Sequence, residues 1–324
     1  MGPFVKVAVV QSEPVWWDLK GTVAKVNKLI KEAYESGAEL IAFPEVFVPG
    51  YPVWIWSNPA DYLKNANYID NSLSYDSPEF QSIIDTIKSN PIHVVLGLSE
   101  RDHSSIYISQ CIIDNHGDVV LKRRKMKPTH AERVLYGDGR SSDLKSVVTL
   151  DFKEAGPVEV GCLSCWEHQQ PLLRYNSATQ HEKIHIGSWP TVNEKYCGEN
   201  RWCFSKEGFY SLARSYCQQM QTFYLFSSQL TSEKLQESIP DIDMIDIHGT
   251  GSPASAVFHP DGYLASDTSF KEDGLIIHDL DMHKILIQKH FIDIVGHYSR
   301  PDMMSLAHNY ANEDVKNYIT GPTN

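Results

Sequence analysis

Two hydrophobic rhythms alternate along the chain. Residues 5–11 (VKVAVVQ) form an almost unbroken apolar run, which predicts a buried strand. In residues 22–37 (TVAKVNKLIKEAYESG), Val23, Val26, Leu29, Ile30, Ala33 and Tyr34 recur at the 3.6-residue period of one helix face, and Gly37 supplies a stop. Residues 39–45 (ELIAFPE) return to the strand pattern and end on Pro44-Glu45. The order repeats. Residues 77–91 (SPEFQSIIDTIKSNP) open with Ser-Pro and an early Glu, both helix-start features, and residues 93–100 (HVVLGLSE) are a strand. Residues 105–125 predict a hairpin turning at Asn115-His116-Gly117-Asp118. Strands follow at 157–165 (PVEVGCLSC), 183–189 (KIHIGSW), 222–229 (TFYLFSSQ) and 274–281 (GLIIHDLD). Helices are predicted near 169–180 and 208–221, and a second hairpin at 254–267 around Pro260-Asp261-Gly262.

Strands alternating with helices argue for an α/β fold, and continuous apolar strands argue for a sheet covered on both faces. About ten strands exceed a comfortable single flat sheet. Two sheets packed together with helices outside, a four-layer α-β-β-α sandwich, accommodate them. No linker, repeat or low-complexity tract interrupts the pattern, so residues 1–324 read as one domain with a short C-terminal tail from about 303.

Composition narrows the partners. A hydrophobic content of 42% with 22% charged residues supports a packed core. A net charge of -12 repels phosphate backbones, so nucleic-acid binding is not expected; the one dense basic run is LKRRKMK at 121–127. Six cysteines, sparse and unevenly spaced, fit reduced thiols and a cytoplasmic location. The N-terminus lacks a signal-peptide core, Lys6 stands where myristoylation wants Ser or Thr, and no apolar run is long enough to span a bilayer.

The stretch from Gly161 to His185 spaces Cys162, Cys165, His181 and His185 as C-x2-C-x15-H-x3-H. A zinc finger has such spacing, but a finger uses the metal as its core, and this chain has a core of its own. A redox C-x-x-C needs two sulfurs on one side, whereas residues three apart on a strand point to opposite faces. The remaining reading uses Cys165 alone. It sits where a strand hands over to a helix start, whose free N–H groups favour thiolate and stabilise developing negative charge. Its structural alternative is a buried inert thiol, as expected of Cys111 and Cys162. Glu45, at a strand end in apolar surroundings, is a candidate general base with a raised pKa, or else a solvated strand-end carboxylate. Alternation through 119–127 turns Lys125 away from Arg124, so one lysine of the basic run can point inward.

Taken together these residues resemble a known family. Residues 37–52 (GAELIAFPEVFVPGYP) resemble the first nitrilase motif, 161–174 (GCLSCWEHQQPLLR) the nucleophile motif, RRKMKPTHAER the lysine segment and 295–302 (VGHYSRPD) a late segment, in family order. The chain resembles the Cys-Trp-Glu nitrilase branch of the carbon–nitrogen hydrolases. That resemblance implies Cys165 as nucleophile, Glu45 as base, Lys125 as the group stabilising nitrogen, and Glu132 orienting Lys125. It implies conversion of an organic nitrile to acid and ammonia through a thioimidate and a thioester, with no metal or organic cofactor. Cyanide hydration and amide hydrolysis are the enzymatic alternatives, and a zinc-binding or thiol-redox module is the alternative of another class. Tyr51, Trp54, His130, Trp166 and Trp189 are the candidate substrate-binding residues, with the Trp166 backbone N–H assisting. His168 and His297 read as supporting groups. The family implies a homodimer or larger homo-oligomer, in some members a spiral, with residues 169–180 and 208–219 as contact candidates; the short tail counts against filaments. Cys162 departs from the branch, which more often has Gly, Ala or Gln there, and packing consequences are expected.

Overall fold

The computed structural model describes residues 2–192, 202–238, 253–266 and 272–308. The elements are, in order, β1 (Phe4–Ser12), α1 (Leu19–Glu35), β2 (Leu40–Ala42), α2 (Tyr62–Asp70), α3 (Pro78–Ser89), β3 (His93–Asp102), β4 (Ser105–Ile113), β5 (Val119–Arg124), β6 (Val147–Phe152), β7 (Gly156–Ser164), α4 (Pro171–Thr179), β8 (Ile184–Trp189), α5 (Lys206–Met220), β9 (Phe223–Gln229), α6 (Glu233–Ser238), β10 (Ala256–Phe258), β11 (Gly274–Asp281) and α7 (His283–Phe291).

The strands run β5-β4-β3-β2-β1-β9-β8-β7-β6, with β10 beside β9 and β11 beside β1. The two expected sheets are therefore one hydrogen-bonded path. Only Gln11↔Ser228 and Ser12↔Gln229 join β1 to β9, so the path folds over at that seam and its halves face each other. Strand alternation then assigns the layers. Val5, Val7 and Val9 of β1 join Leu40, Val160, Ile184, Ile186 and Leu225 in the core between the halves. Ala8 and Val10 face the other way, onto α1 and α3. On the far half, Leu163, Tyr224 and Phe226 pack against α4 and α5. The result is the α-β-β-α sandwich.

Local signals explain the element ends. Asp18 caps α1, and Ser77 caps α3 with Pro78 behind it. Gly37 terminates the first helical unit at φ 83°, a conformation that favours glycine. Of the helix face predicted for α1, Val23, Val26, Leu29, Ile30 and Ala33 are buried, but Tyr34 is exposed at the last turn. The 105–125 hairpin forms as β4 and β5, whereas the second hairpin has a returning arm reduced to one bridge, Phe258↔Leu264. Three helices (α2, α6 and α7) and the strand β6 lack a matching expectation; β6 supplies the antiparallel partner of β7. Cys197, Asp267 and the tail beyond residue 308 lie outside the described residues.

Candidate active site

Glu45 does not end a strand. β2 stops at Ala42, and the backbone turns through Pro44–Glu45 with Val46 at φ 48°. Two backbone bonds and one side-chain bond hold this turn: Phe43 N–H to Val95 O (2.9 Å), Glu45 N–H to Trp189 O (3.2 Å) and Gln229 Nε2–H to Glu45 O (2.7 Å). Gly97 permits it, because a Cβ there would lie 2.0 Å from the Pro44 carbonyl oxygen. Glu45 is thus mounted on the strand ends β2, β3, β8 and β9 rather than on a loose loop.

Lys125 leaves β5 by one residue and turns inward, on the side that alternation left open to it. Its Nζ donates to Glu45 Oε1 and to Glu132 Oε2, each at 2.8 Å, and all three side chains are buried. Glu132 Oε2 also accepts from the Thr129 N–H (2.6 Å), and its Oε1 accepts from the Tyr51 hydroxyl (3.0 Å). Glu45 Oε2 has no hydrogen-bond partner among the described residues. Burial, reinforced by Glu132 and only partly offset by Lys125, pushes the Glu45 carboxyl up from 4.5 to about 8. Lys125 keeps its proton well above the usual lysine range: burial opposes the charge, but Glu132 and Glu45 more than compensate.

Cys165 lies at the expected elbow. β7 ends at Ser164, Cys165 itself adopts φ 49°, and a 3-10 turn (Cys165–Gln169) leads into α4. A non-glycine residue in the left-handed region is strained, and such strain persists only where the surroundings enforce it. Glu167 enforces much of it. Its carboxylate accepts from the Ser164 and Met126 N–H groups, both at 2.8 Å, and pairs with both terminal nitrogens of Arg123 at 2.7 and 2.8 Å. The Cys165 thiol lies within electrostatic reach of Glu45, Lys125 and Glu132, and the adjoining Trp166 backbone N–H favours its charged form. The expectation that the helix start would favour thiolate is corrected here. Burial and the Glu45 charge raise the thiol well above its ordinary range, outweighing Lys125 and that N–H.

The C-x2-C-x15-H-x3-H set is dispersed. Cys162 packs between the sheet halves, Cys165 faces the α5 side, His181 is exposed at φ 61°, and His185 turns to His168. Most of the basic run is likewise ion-paired, Arg123 with Glu167, Arg124 with Glu100 and Asp102, Lys125 with its two glutamates and Lys127 with Asp138, while Lys122 lies over the Tyr75 ring.

The aromatic candidates divide. Tyr51 reaches the cluster through Glu132, and Trp56 Nε1 donates to its hydroxyl at 3.0 Å. His130 is exposed and stacks on Trp56 with rings 4° from parallel. Trp166 is half-buried beside Phe204 and Phe209. Two others lie deeper. Trp54 is buried between Trp17 and Tyr68 with its indole N–H on Asn65, and Trp189 is buried against His168 and Phe226 with its N–H on Tyr224. Trp189 shares a buried cluster with Cys165, and its carbonyl accepts from the Glu45 N–H. Sequence reasoning missed Arg123, Glu167, Glu182 and Gln229. The cue for Arg123 was its alternation with Lys125; Glu182 and Gln229 gave none.

Against known proteins, the carbon-nitrogen hydrolase family matches residues 6–286. The chain belongs to the carbon–nitrogen hydrolase family. This hydrolase is 63% identical to a nitrilase from Meyerozyma guilliermondii, across 98% of this chain and 99% of that one. It is 44% identical to an arylacetonitrilase from Macrophomina phaseolina, across 94% and 91% of the two chains. An amidase from Nesterenkonia sp. shares the fold, with a TM-score of 0.64 over 90% of this hydrolase and 98% of that chain at 15% identity. Among the described residues, no helix is long and apolar enough to cross a membrane.

Proposed function

We propose that this carbon–nitrogen hydrolase is a nitrilase converting an organic nitrile to its carboxylic acid and ammonia, with Cys165 as nucleophile. The observation that carries the reading is the buried Glu45–Lys125–Glu132 cluster beside Cys165, in which Glu45 keeps one carboxylate oxygen free of hydrogen bonds among the described residues. A thiol that stays protonated at rest needs a base at the moment of attack, and Glu45 is that base.

Cys165 Sγ bonds to the nitrile carbon as its proton passes to Glu45. One π bond to nitrogen breaks, and the nitrogen takes up a proton from the Lys125–Glu45 pair, giving a thioimidate. Glu45 then removes a proton from a water that adds to the same carbon. That proton passes through the Lys125 ammonium to nitrogen, giving a tetrahedral adduct that carries hydroxyl, amino and thioether groups. The hydroxyl proton then follows the same route by way of Glu45 as the C–N bond breaks, so that ammonia leaves and the thioester carbonyl forms. The remaining thioester is cleaved by a second water, and the C–S bond breaks to return the thiol. Lys125 supplies positive charge where nitrogen gains electron density, and Glu132 holds its ammonium in place.

Arylaliphatic nitriles are the substrate class within this reading. Support comes from the arylacetonitrilase relatives, and from Trp56 with His130 and from Trp166 as incompletely buried aromatic surface adjoining the cluster. The reading includes a cytoplasmic location, supported by five free cysteines among the described residues, and at least a homodimer, supported by the exposed Leu172 on α4.

A panel of arylaliphatic, aromatic and aliphatic nitriles, cyanide and the matching amides, scored for ammonia and acid, tests this. Arylaliphatic nitriles should lead the panel, and Cys165→Ala should be inactive. Folded protein silent on every nitrile, amide turnover exceeding nitrile turnover, or full activity in Cys165→Ala would overturn it.

A further inference from the structure

Behind Cys165, away from Glu45 and Lys125, runs a second chain of buried polar side chains that the proposed chemistry does not use. His168 Nδ1 lies 2.6 Å from the Cys165 carbonyl oxygen. His168 Nε2 lies 2.8 Å from His185 Nε2, and His185 Nδ1 lies 2.7 Å from Glu182 Oε1. The Tyr216 hydroxyl donates to Glu182 Oε2 at 2.5 Å. The Tyr224 hydroxyl, held by the Trp189 N–H, lies 3.0 Å from His168 Nε2. All of these side chains are buried. The strands are shaped around them. A Cβ on Gly161 would lie 1.9 Å from Glu182 Oε1, and one on Gly187 would lie 1.9 Å from the Tyr224 hydroxyl.

The carbonyl only accepts, so His168 carries its proton on Nδ1. Its Nε2 then accepts, which puts a proton on His185 Nε2. One further proton is shared between His185 Nδ1 and Glu182. Burial pushes Glu182 up to about 8 and both imidazoles well below their ordinary range, so that proton rests on Glu182 and the chain is neutral. The Arg174 guanidinium, over the Tyr216 ring, and Arg123 also disfavour a cation at His185, more than Glu167 favours one.

The consequence follows from peptide geometry. The Cys165 carbonyl and the Trp166 N–H belong to one planar peptide unit and point in opposite directions. Anchoring the carbonyl on His168 therefore fixes the direction of the Trp166 N–H, which points away from His168 and favours the charged form of the Cys165 thiol. It also holds Cys165 in its left-handed conformation, at φ 49°.

We propose that His168, braced by His185 and Glu182, is a positioning residue for the cysteine chemistry. It locks the Cys165–Trp166 peptide so that one backbone N–H faces the sulfur and the charge that develops beside it. This inference rests on Cys165 being the nucleophile of the proposed function.

The test compares His168→Leu, which removes the donor, with His168→Asn, whose amide N–H reaches the same carbonyl. For His168→Leu, kcat should fall about 100-fold, the scale of losing one aimed donor, with KM within threefold of wild type. His168→Asn should recover at least tenfold of that loss. A folded His168→Leu enzyme losing less than tenfold, a loss confined to KM, or an Asn variant no better than Leu overturns the proposal. Should His168→Leu fail to fold, Glu182→Gln against Glu182→Leu decides. At least tenfold higher kcat in the Gln variant supports the relay, and any smaller difference overturns it. Iodoacetamide alkylation of Cys165, followed by mass spectrometry, separates this from failure of the functional reading. If the wild type turns over no nitrile, alkylation at least fivefold slower in His168→Leu still supports the relay. Any smaller change, or faster alkylation, overturns it.

Discussion

The raised carboxyl of Glu45 makes a quantitative demand on both activity and stability. The base must be ionised to accept the thiol proton. With its titration moved from 4.5 to about 8, only about 1% is ionised at pH 6 and half at pH 8. Lys125 stays protonated throughout, the thiol stays neutral, and a nitrile does not titrate. Thus kcat/KM should rise about fiftyfold from pH 6 to pH 8 and then level. For stability, the folded state binds this proton more tightly than the unfolded state. Stability from this group is therefore greatest below pH 4.5 and is lost as pH rises toward 8. At pH 7 the penalty is 2.5 pH units above 4.5, or about 3 kcal/mol. Glu45→Gln, isosteric and able to keep the Lys125 bond through its carbonyl, should abolish turnover yet gain about that much at pH 7 and nothing below pH 4.5. Initial rates from pH 5 to 9, with denaturant midpoints of both proteins at pH 4 and 7, measure the two effects. Glu182 also titrates near 8, so Glu182→Gln is the control: the limb must persist in it. An activity limb near pH 4–5, or an equal Glu45→Gln effect at both pH values, would refute the reasoning.

The other predictions concern the supports of the cluster. Lys125→Met removes the cation that Glu132 and Glu45 share and leaves a buried carboxylate unpaired, so it should be inactive and lose about 3–5 kcal/mol by denaturant titration at pH 7. Glu167→Ala strands the Arg123 charge and frees the Ser164 and Met126 N–H groups, so a similar loss should appear with Cys165 activity abolished; a soluble, active variant would show that the elbow holds itself. Gly97→Ala drives a methyl into the Pro44 carbonyl, and because it displaces Glu45 rather than substrate, kcat should fall by tenfold or more with KM little changed.

Periodicity made the layers readable because burial follows it: β1 sends odd residues between the sheet halves and even ones to the helices. Its limits were equally physical. The expected two-layered sandwich formed with its halves joined into one hydrogen-bonded path, and the two-pair seam between β1 and β9 lies in residues whose alternation carries no sign of partner. Trp54 and Trp189, expected at the substrate site, are buried whole because their indole N–H groups find internal acceptors in Asn65 and Tyr224, which local sequence does not mark. The thiolate expectation for Cys165 counted the local helix start and omitted the desolvation and the Glu45 charge that long-range packing imposes.

From sequence alone came the α/β class, the strand-to-helix elbow at Cys165, the opposite facing of Lys125 and Arg124, and the ordered motifs shared with the nitrilase branch. These depend on neighbours within a few residues or on spacing along the chain. The tertiary structure decided which oxygen of Glu45 is free among the described residues, that Glu167 grips the elbow, and that His168 is tied through His185 to Glu182. Those outcomes depend on burial and on contacts between β2, β5, β7 and β8, strands far apart in the chain. Charge energetics follow three-dimensional distance and exclusion of water, and neither quantity is written in local order.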